Sequence, residues 1–476
     1  MKKRYILLFL GGSLLSSCSH TKALVDPYAL APSLPNAMWQ IDAEDSCLLS
    51  SKYFTTYIPK DYDDHDLSLA ELIDIALYNN FNIKSSWAEA RSKAAIYAQS
   101  EAAYLPKIDA SAKYQRERQT FSLSETFTIP YLLTTTGPEM QITYTLLDFG
   151  ARKASSDAAR KSLLFADLTH NRTIQTAIQI VMDDYYTYLY EKERLLALEA
   201  DVENASVTLQ AAEEKGRVGV FAAGDISQAK THFIQKKIAM IGQKKATLRQ
   251  FSQLAKDLGL PANISFNVQP LPKKVVVKSC IEDADLLIAK AQKCRPDLQA
   301  SIAKVAEKKA DLVKARSGHF PKVDASFDLG KYWYDHAQDE DYHWAFLLKL
   351  ELPLFEGFMV ENQIKQKQAD LEKSAAELLS KELSVVSEIQ NARTNLIAAK
   401  DALGFTEEYL KEAKKQFRIA TENYRLGVNT ILDVLSAQSS LADARAKLAE
   451  AKKNWYQSLA EIAYSTGAFG FTEEVL

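Results

Sequence analysis

The sequence predicts a mainly α chain, an internally duplicated set of long coiled-coil hairpins carrying four strands. Three observations predict it. Gly219 and Asp225 are matched 208 residues further on by Gly427 and Asp433, each pair between two helical runs. One such coincidence is weak, but two at a single offset in similar settings mark a duplication. Leu105-Pro106-Lys107-Ile108-Asp109-Ala110-Ser111 returns as Phe320-Pro321-Lys322-Val323-Asp324-Ala325-Ser326, and Leu147-Asp148-Phe149-Gly150 is echoed by Leu354-Phe355-Glu356-Gly357. Finally, 16 Gly and 13 Pro in 476 residues is the low count expected of long, uninterrupted elements.

In chain order, Lys2-Lys3-Arg4 and the apolar run Tyr5 to Leu15 read as a signal peptide over 1–17, too short to span a bilayer. Leu15-Ser16-Ser17-Cys18 resembles the lipobox of bacterial lipoproteins, which implies that Cys18 is the acylated first residue of the mature chain. Ser19 in place of an aspartate then implies the outer membrane. The other reading is an ordinary signal peptide with a chance cysteine. Residues 18–66, with Pro27, Pro32, Pro35 and Pro59 and no sustained period, read as a tether. Cys47, Cys280 and Cys294 have no metal-ligand spacing, and no motif supports a Cys280–Cys294 bridge.

The first repeat is expected over 67–284 and the second over 285–471. Each opens with helix, Leu67 to Ala103 broken near Asn79-Asn80, and Glu282 to Ser317 with Pro296 in a first turn. Strand pairs follow at about 107–149 and 321–355, where apolar and polar residues alternate, as in Ile108, Ala110, Ala112 and Tyr114 against Asp109, Ser111, Lys113 and Gln115. Gln119 to Gly137 reads as a long Ser/Thr-rich loop, and Asp335 to Tyr342 as a short acidic one. Tyr332-Trp333-Tyr334 with Trp344 suggests an interfacial aromatic girdle. A soluble sheet would show the same alternation. Helical rods of ~65 residues come next, roughly 100 Å at 1.5 Å per residue. Ile174, Ile178, Val181, Tyr185 and Tyr188 step 4-3-4-3, and Ile389, Ala392, Leu396, Ala399 and Leu403 step 3-4-3-4, both coiled-coil seams. Turns at about 215–225 and 424–433 lead to returning helices Asp225 to Lys256 and Asp433 to Ser465, and a Pro-punctuated linker occupies about 259–281.

Four strands leave two open edges and cannot close a transmembrane barrel, which takes at least eight, so a cyclic oligomer is expected. This ordered layout, with Tyr424-Arg425-Leu426-Gly427-Val428-Asn429-Thr430-Ile431-Leu432-Asp433-Val434-Leu435 as its most characteristic run, resembles the outer-membrane efflux protein family, the TolC-like channel-tunnels, in its lipoprotein subgroup. The resemblance implies a homotrimer with a twelve-stranded transmembrane barrel, anchored in outer-membrane lipid. It implies a channel subunit of a tripartite efflux or type I secretion system, working with a periplasmic adaptor and an inner-membrane pump. It also places a periplasmic gate at Asp225, Tyr424 and Asp433, and adaptor contact at Arg217, Gly219, Val220, Arg425, Gly427, Val428 and Asn429. Asn429 stands where the best-known pattern is basic, and Ser436 where it has a second acid, which weakens an electrostatic lock. Thr430-x-x-Asp433 also fits a capping box, and Asp225 after Gly224 fits a helix cap.

No P-loop, G-x-G-x-x-G, H-E-x-x-H or G-x-S-x-G occurs, and seven histidines are scattered singly, so neither an enzyme nor a cofactor is expected. A net charge of −3 argues against nucleic acid. A passive duct, rather than an energised pump, is the resulting expectation. The alternative is a periplasmic coiled-coil adaptor or structural lipoprotein without a pore.

Overall fold

The computed structural model describes residues 65–124, 127–217, 223–271, 283–334 and 341–469. The signal peptide, Cys18, Cys47, Cys280 and nearly all of the tether lie outside them. The elements in order are α1 (Leu69–Asn79), α2 (Phe81–Glu101), β1 (Lys107–Ser124), β2 (Phe127–Leu147), α3 (Ala151–Arg217), α4 (Ala223–Asp257), α5 (Ala284–Cys294), α6 (Pro296–Ser317), β3 (Lys322–Tyr334), β4 (Asp341–Glu351), α7 (Met359–Arg425) and α8 (Ile431–Thr466).

The two halves keep one register until the strands and a second after them. Helices α1 and α2 and strand β1 begin 215 residues before α5, α6 and β3, whereas α3 and α4 begin 208 residues before α7 and α8. The seven residues lost lie in the second hairpin, which is the shorter one. Both rods have 67 residues. Each rod starts after two consecutive left-handed residues, Phe149 and Gly150 in one half and Gly357 and Phe358 in the other. Structural equivalence there is at offset 208, which pairs Phe149 with Gly357 and corrects the one-residue-shifted match of Gly150 with Gly357.

The strand-proximal helices break for different local reasons. Ser68 and Glu71 form a capping box at the start of α1. Asn80 then ends α1, and its side chain accepts from the amides of Asn82 at 2.8 Å and Ile83 at 3.3 Å to start α2. In the second half Pro296 has no N–H to give and holds Arg295 extended. Helices α1 and α2 lie along α3; α5 packs on α7, and α6 lies between α3 and α7. Rods and returning helices pair as α3/α4 and α7/α8. Ile389, Ala392, Leu396, Ala399 and Leu403, the seam expected in the second half, are buried on α7, with Ile389 against Leu287 and Ala291 of α5 and Leu396, Ala399 and Leu403 against Ala451 and Trp455 of α8. The main apolar cluster joins Leu72 and Ile75 of α1, Val181 and Tyr185 of α3, Leu254 of α4, and Phe266 and Val268 of the following segment.

The sheet is antiparallel in the order β1-β2-β3-β4, with β1 and β4 as edges. Residues 119–124 and 127–137 are strand and not loop: β1 and β2 stay paired from Lys107↔Thr143 to Ser124↔Phe127. The ladder tolerates the residues that read as turn punctuation. Pro130 faces Thr120 beyond the last β2–β3 pair, Thr135↔Tyr334, and Pro138 falls where no β2–β3 pair forms. Gly137 is required there, since a Cβ would sit 1.9 Å from the Lys331 carbonyl oxygen. The aromatic girdle is also corrected. Trp333 shares the Trp344 face, joined by Tyr342, while alternation puts Tyr332 and Tyr334 on the other face.

Candidate functional site at the helix turns

Helix α7 ends in a closure that its sequence dictates. The Gly427 amide donates to the Tyr424 carbonyl at 3.1 Å and the Val428 amide to the Asn423 carbonyl at 2.9 Å, a Schellman motif with Gly427 at φ +80°. Three residues later Thr430 and Asp433 form the expected capping box. The Thr430 amide donates to Asp433 Oδ2 at 2.8 Å, and the Asp433 amide returns a bond to the Thr430 hydroxyl at 3.4 Å. Hydrogen bonds from the Thr430 side chain and backbone hold the Asp433 carboxyl below the usual carboxylate range.

The structure places the remaining turn residues unevenly. The Tyr424 ring is buried against Ile431 and Val434, so it forms the core of its own hairpin end. Arg425 is exposed, with Glu422 at 3.5 Å. Asn429 is half-buried, and Arg217 is exposed at the end of α3. Leu426 (77% exposed), Val428 (74%) and Leu432 (58%) give the turn an apolar surface. Gly219, Val220 and the side chain of Asp225 lie outside the described residues. The backbone of α4 starts at Ala223, so Asp225 is its third residue, as Asp433 is in α8, and not a residue flanking the helix.

Two inter-repeat locks went unread in the sequence. Asp201 of α3, almost fully buried, accepts from Arg445 at 3.1 Å, and its carbonyl accepts from the Gln438 amide at 3.3 Å. Burial pushes the Asp201 carboxyl up, against the pull of Lys236 and Arg445. The second lock is an ionic cluster about Arg295. Its guanidinium donates to both Asp297 oxygens at 3.0 and 2.7 Å, to Glu388 at 2.6 Å and to the Ser465 carbonyl at 3.1 Å. Lys381 stands 2.8 Å and Arg172 3.6 Å from Asp297, and the Arg172 guanidinium lies 3.7 Å from the Tyr464 ring centroid. Burial opposes ionisation of Asp297, but Arg295, Lys381 and Arg172 outweigh it and hold the carboxyl well below its ordinary range.

Two 67-residue rods with shorter returning helices, stacked helix pairs and a four-stranded sheet between them define a channel-tunnel protomer. The family pattern for outer membrane efflux proteins matches residues 72–260 and 287–468, and the chain belongs to that family. The family consists of channel proteins of the TolC type, not enzymes. Protein CyaE of Bordetella pertussis is 26% identical over 80% of each chain. The outer membrane protein TolC of Vibrio cholerae is 23% identical over 84% of this chain and 90% of its own. In fold, the Campylobacter jejuni CmeC outer membrane channel superposes with a TM-score of 0.74 at 19% identity, covering 92% of this chain and 94% of that one.

Proposed function

We propose that this chain is the outer-membrane channel subunit of a tripartite efflux or type I secretion system. It is a passive export duct that takes cargo from an inner-membrane pump through a periplasmic adaptor. The observation that carries this reading is a four-stranded sheet with one exposed apolar face and two unpaired edges, set at the end of rods about 100 Å long. Open edges need partners, and three copies supply twelve strands. Acylated Cys18 holds each protomer to the membrane. The turns form the periplasmic tips, gated through Asp225, Tyr424 and Asp433. Their apolar rim at Leu426, Val428 and Leu432 suits contact with adaptor hairpins beside Arg217, Gly219, Val220, Arg425, Gly427 and Asn429.

The burial of Tyr424 shapes the gate mechanism. Its ring packs on Ile431 and Val434 of the same hairpin, so a polar contact from Tyr424 to a neighbouring tip is backed by an aromatic core already in place. Asn429 adds no ion pair, so packing takes a larger share. Planar-bilayer recording tests the reading. Wild-type protein should insert as a conducting channel, and Tyr424→Phe, which keeps the ring, should raise single-channel conductance modestly. Unchanged conductance in Tyr424→Phe would mean that packing alone closes the tip. Inserted protein that never conducts would remove the duct.

A further inference from the structure

Among the described strand residues, acidic residues are confined to one face of the sheet while basic residues occur on both. The face carrying Ile108, Tyr114, Ile142, Phe327 and Trp344 continues past Tyr114 to Arg116 and Arg118 on β1 and includes Lys331 on β3. These three are the only charged residues that alternation places on that face among the described strand residues, and all are basic. The acidic residues Asp109, Glu117, Glu139, Asp324, Asp328 and Glu351 alternate onto the opposite face, where Lys107, Lys113, Lys322 and Lys349 accompany them.

The three bases flank one row at the hairpin end of β3: Tyr114, Thr136 and Trp333 are in register, Lys331 lies one same-face step inside that row, and Arg116 and Arg118 lie beyond it. Lys331 is in register with Tyr342, and its ammonium stands over Trp333 and Tyr342 at 5.7 and 5.2 Å from the ring centroids. Arg116 and Arg118 lie roughly 7 and 14 Å along β1 beyond Tyr114, at about 3.4 Å per residue. Both are exposed. This end is the hairpin end, away from the helices, where an aromatic belt would meet the outer edge of a membrane.

We infer that Arg116, Arg118 and Lys331 form a basic rim that binds the phosphates of anionic glycolipid headgroups in the leaflet nearest the hairpins. The inference rests on the membrane-barrel reading above. Charge complementarity selects the occupant. A zwitterionic headgroup gives no reason to clear one face of acids, whereas a phosphate accepts paired guanidinium donors and is repelled by carboxylates. Each basic residue near an anionic surface contributes roughly a fivefold gain in binding.

The test uses the purified full chain in phosphatidylcholine nanodiscs doped with either bisphosphorylated or dephosphorylated lipid A, with lipid retention read by native mass spectrometry. Insertion and conductance are recorded on the same preparation. Wild-type protein should retain the bisphosphorylated lipid at least tenfold more strongly. The combined Arg116→Gln, Arg118→Gln and Lys331→Gln variant should retain both lipids equally, with its hold on the dephosphorylated form unchanged. Equal retention by wild-type protein, or a preference that survives the triple substitution, overturns the rim while leaving the duct intact. Failure to insert overturns both.

Discussion

Replacing Arg295 by Met should loosen the middle of the molecule far more than any other single charge removal there. The Arg295 side chain is fully buried, Asp297 is 14% exposed and Glu388 44% exposed. Met keeps the stem volume but deletes both bonds to Asp297 and the one to the Ser465 carbonyl near the end of α8. Breaking a buried ion pair costs about 3–5 kcal/mol. Glu388 can turn to water, and Asp297 keeps Lys381 and Arg172, so the low end applies, about 3 kcal/mol. As a local opening energy that is roughly a hundredfold loss of amide protection. Hydrogen exchange by mass spectrometry should find it in peptides covering the α5–α6 break and the end of α8, and not in the turn at Gly427. Lys381→Met, which leaves the bidentate pair intact, should cost less than tenfold. Because the folded pKa of Asp297 is depressed, its contribution is present above the ordinary aspartate range and disappears only as pH falls below about 4. Wild-type protein should therefore hold its protection from pH 8 to pH 5. Equal effects of the Arg295 and Lys381 variants would show that Asp297 is held by charge in general and not by this arginine.

Burial and the neighbouring Asp257 push the Asp184 carboxyl up to about 7, so its folded form favours the proton and stability falls as pH rises between about 4 and 7. Asp184→Asn should raise the Tm at pH 8, reflecting about 1–2 kcal/mol after allowance for partial solvent screening, and by only about a third as much at pH 5; an equal shift at both values would rule out titration as the cause. Gly427→Ala meets no atom within 4 Å and should cost only the left-handed strain of about 1 kcal/mol. Gly467→Ala adds a Cβ at 2.8 Å from the Cys294 carbonyl oxygen and should cost clearly more, so equal losses in heat denaturation would contradict the geometry. Cys18→Ser should abolish incorporation of labelled fatty acid, and undiminished label would remove the anchor.

The parts of the fold legible in the sequence were those set by local chemistry at a fixed spacing. Gly427 with Thr430 and Asp433 closes one helix and opens the next using groups within about ten residues of each other, and Pro296 breaks a helix by itself. The β1–β2 hairpin was misjudged because Pro130, Gly137 and Pro138 are turn formers by type, while here each occupies a place where the ladder needs no amide or leaves no room for a Cβ. In the candidate site, Asp433 was readable because its partner is three residues away. Tyr424 was placed at the gate only through the family resemblance, and nothing local announces that its ring is packed under Ile431 and Val434. The Arg295 cluster was illegible because Arg-Pro-Asp looks like an ordinary helix start, and Glu388 and Ser465 are 93 and 170 residues away in the chain.

The contrast between the two breaks explains why the duplicated halves diverged where they did. Helix α6 lies between α3 and α7, so the break at Arg295 is sealed from water and its polar groups must be satisfied inside the protein. An arginine with five donors does that, and the Ser465 carbonyl near the end of α8 and two acidic side chains take them up. Helix α2 packs chiefly on α3, and Asn80 at its break is half-buried, so a short neutral cap is enough. The flank of α2 left uncovered carries Trp87 and Ile96 to the surface, while α7 exposes Leu379 and Leu383. On the trimeric reading, α7 of a neighbouring copy takes the place beside α2 that α7 of the same chain takes beside α6. One protomer would then supply a covered break and an open one, and ring closure would cover the second. The neutral cap at Asn80 fits a site that is solvated until assembly, since an arginine hub there would have to be desolvated at the moment the copies meet.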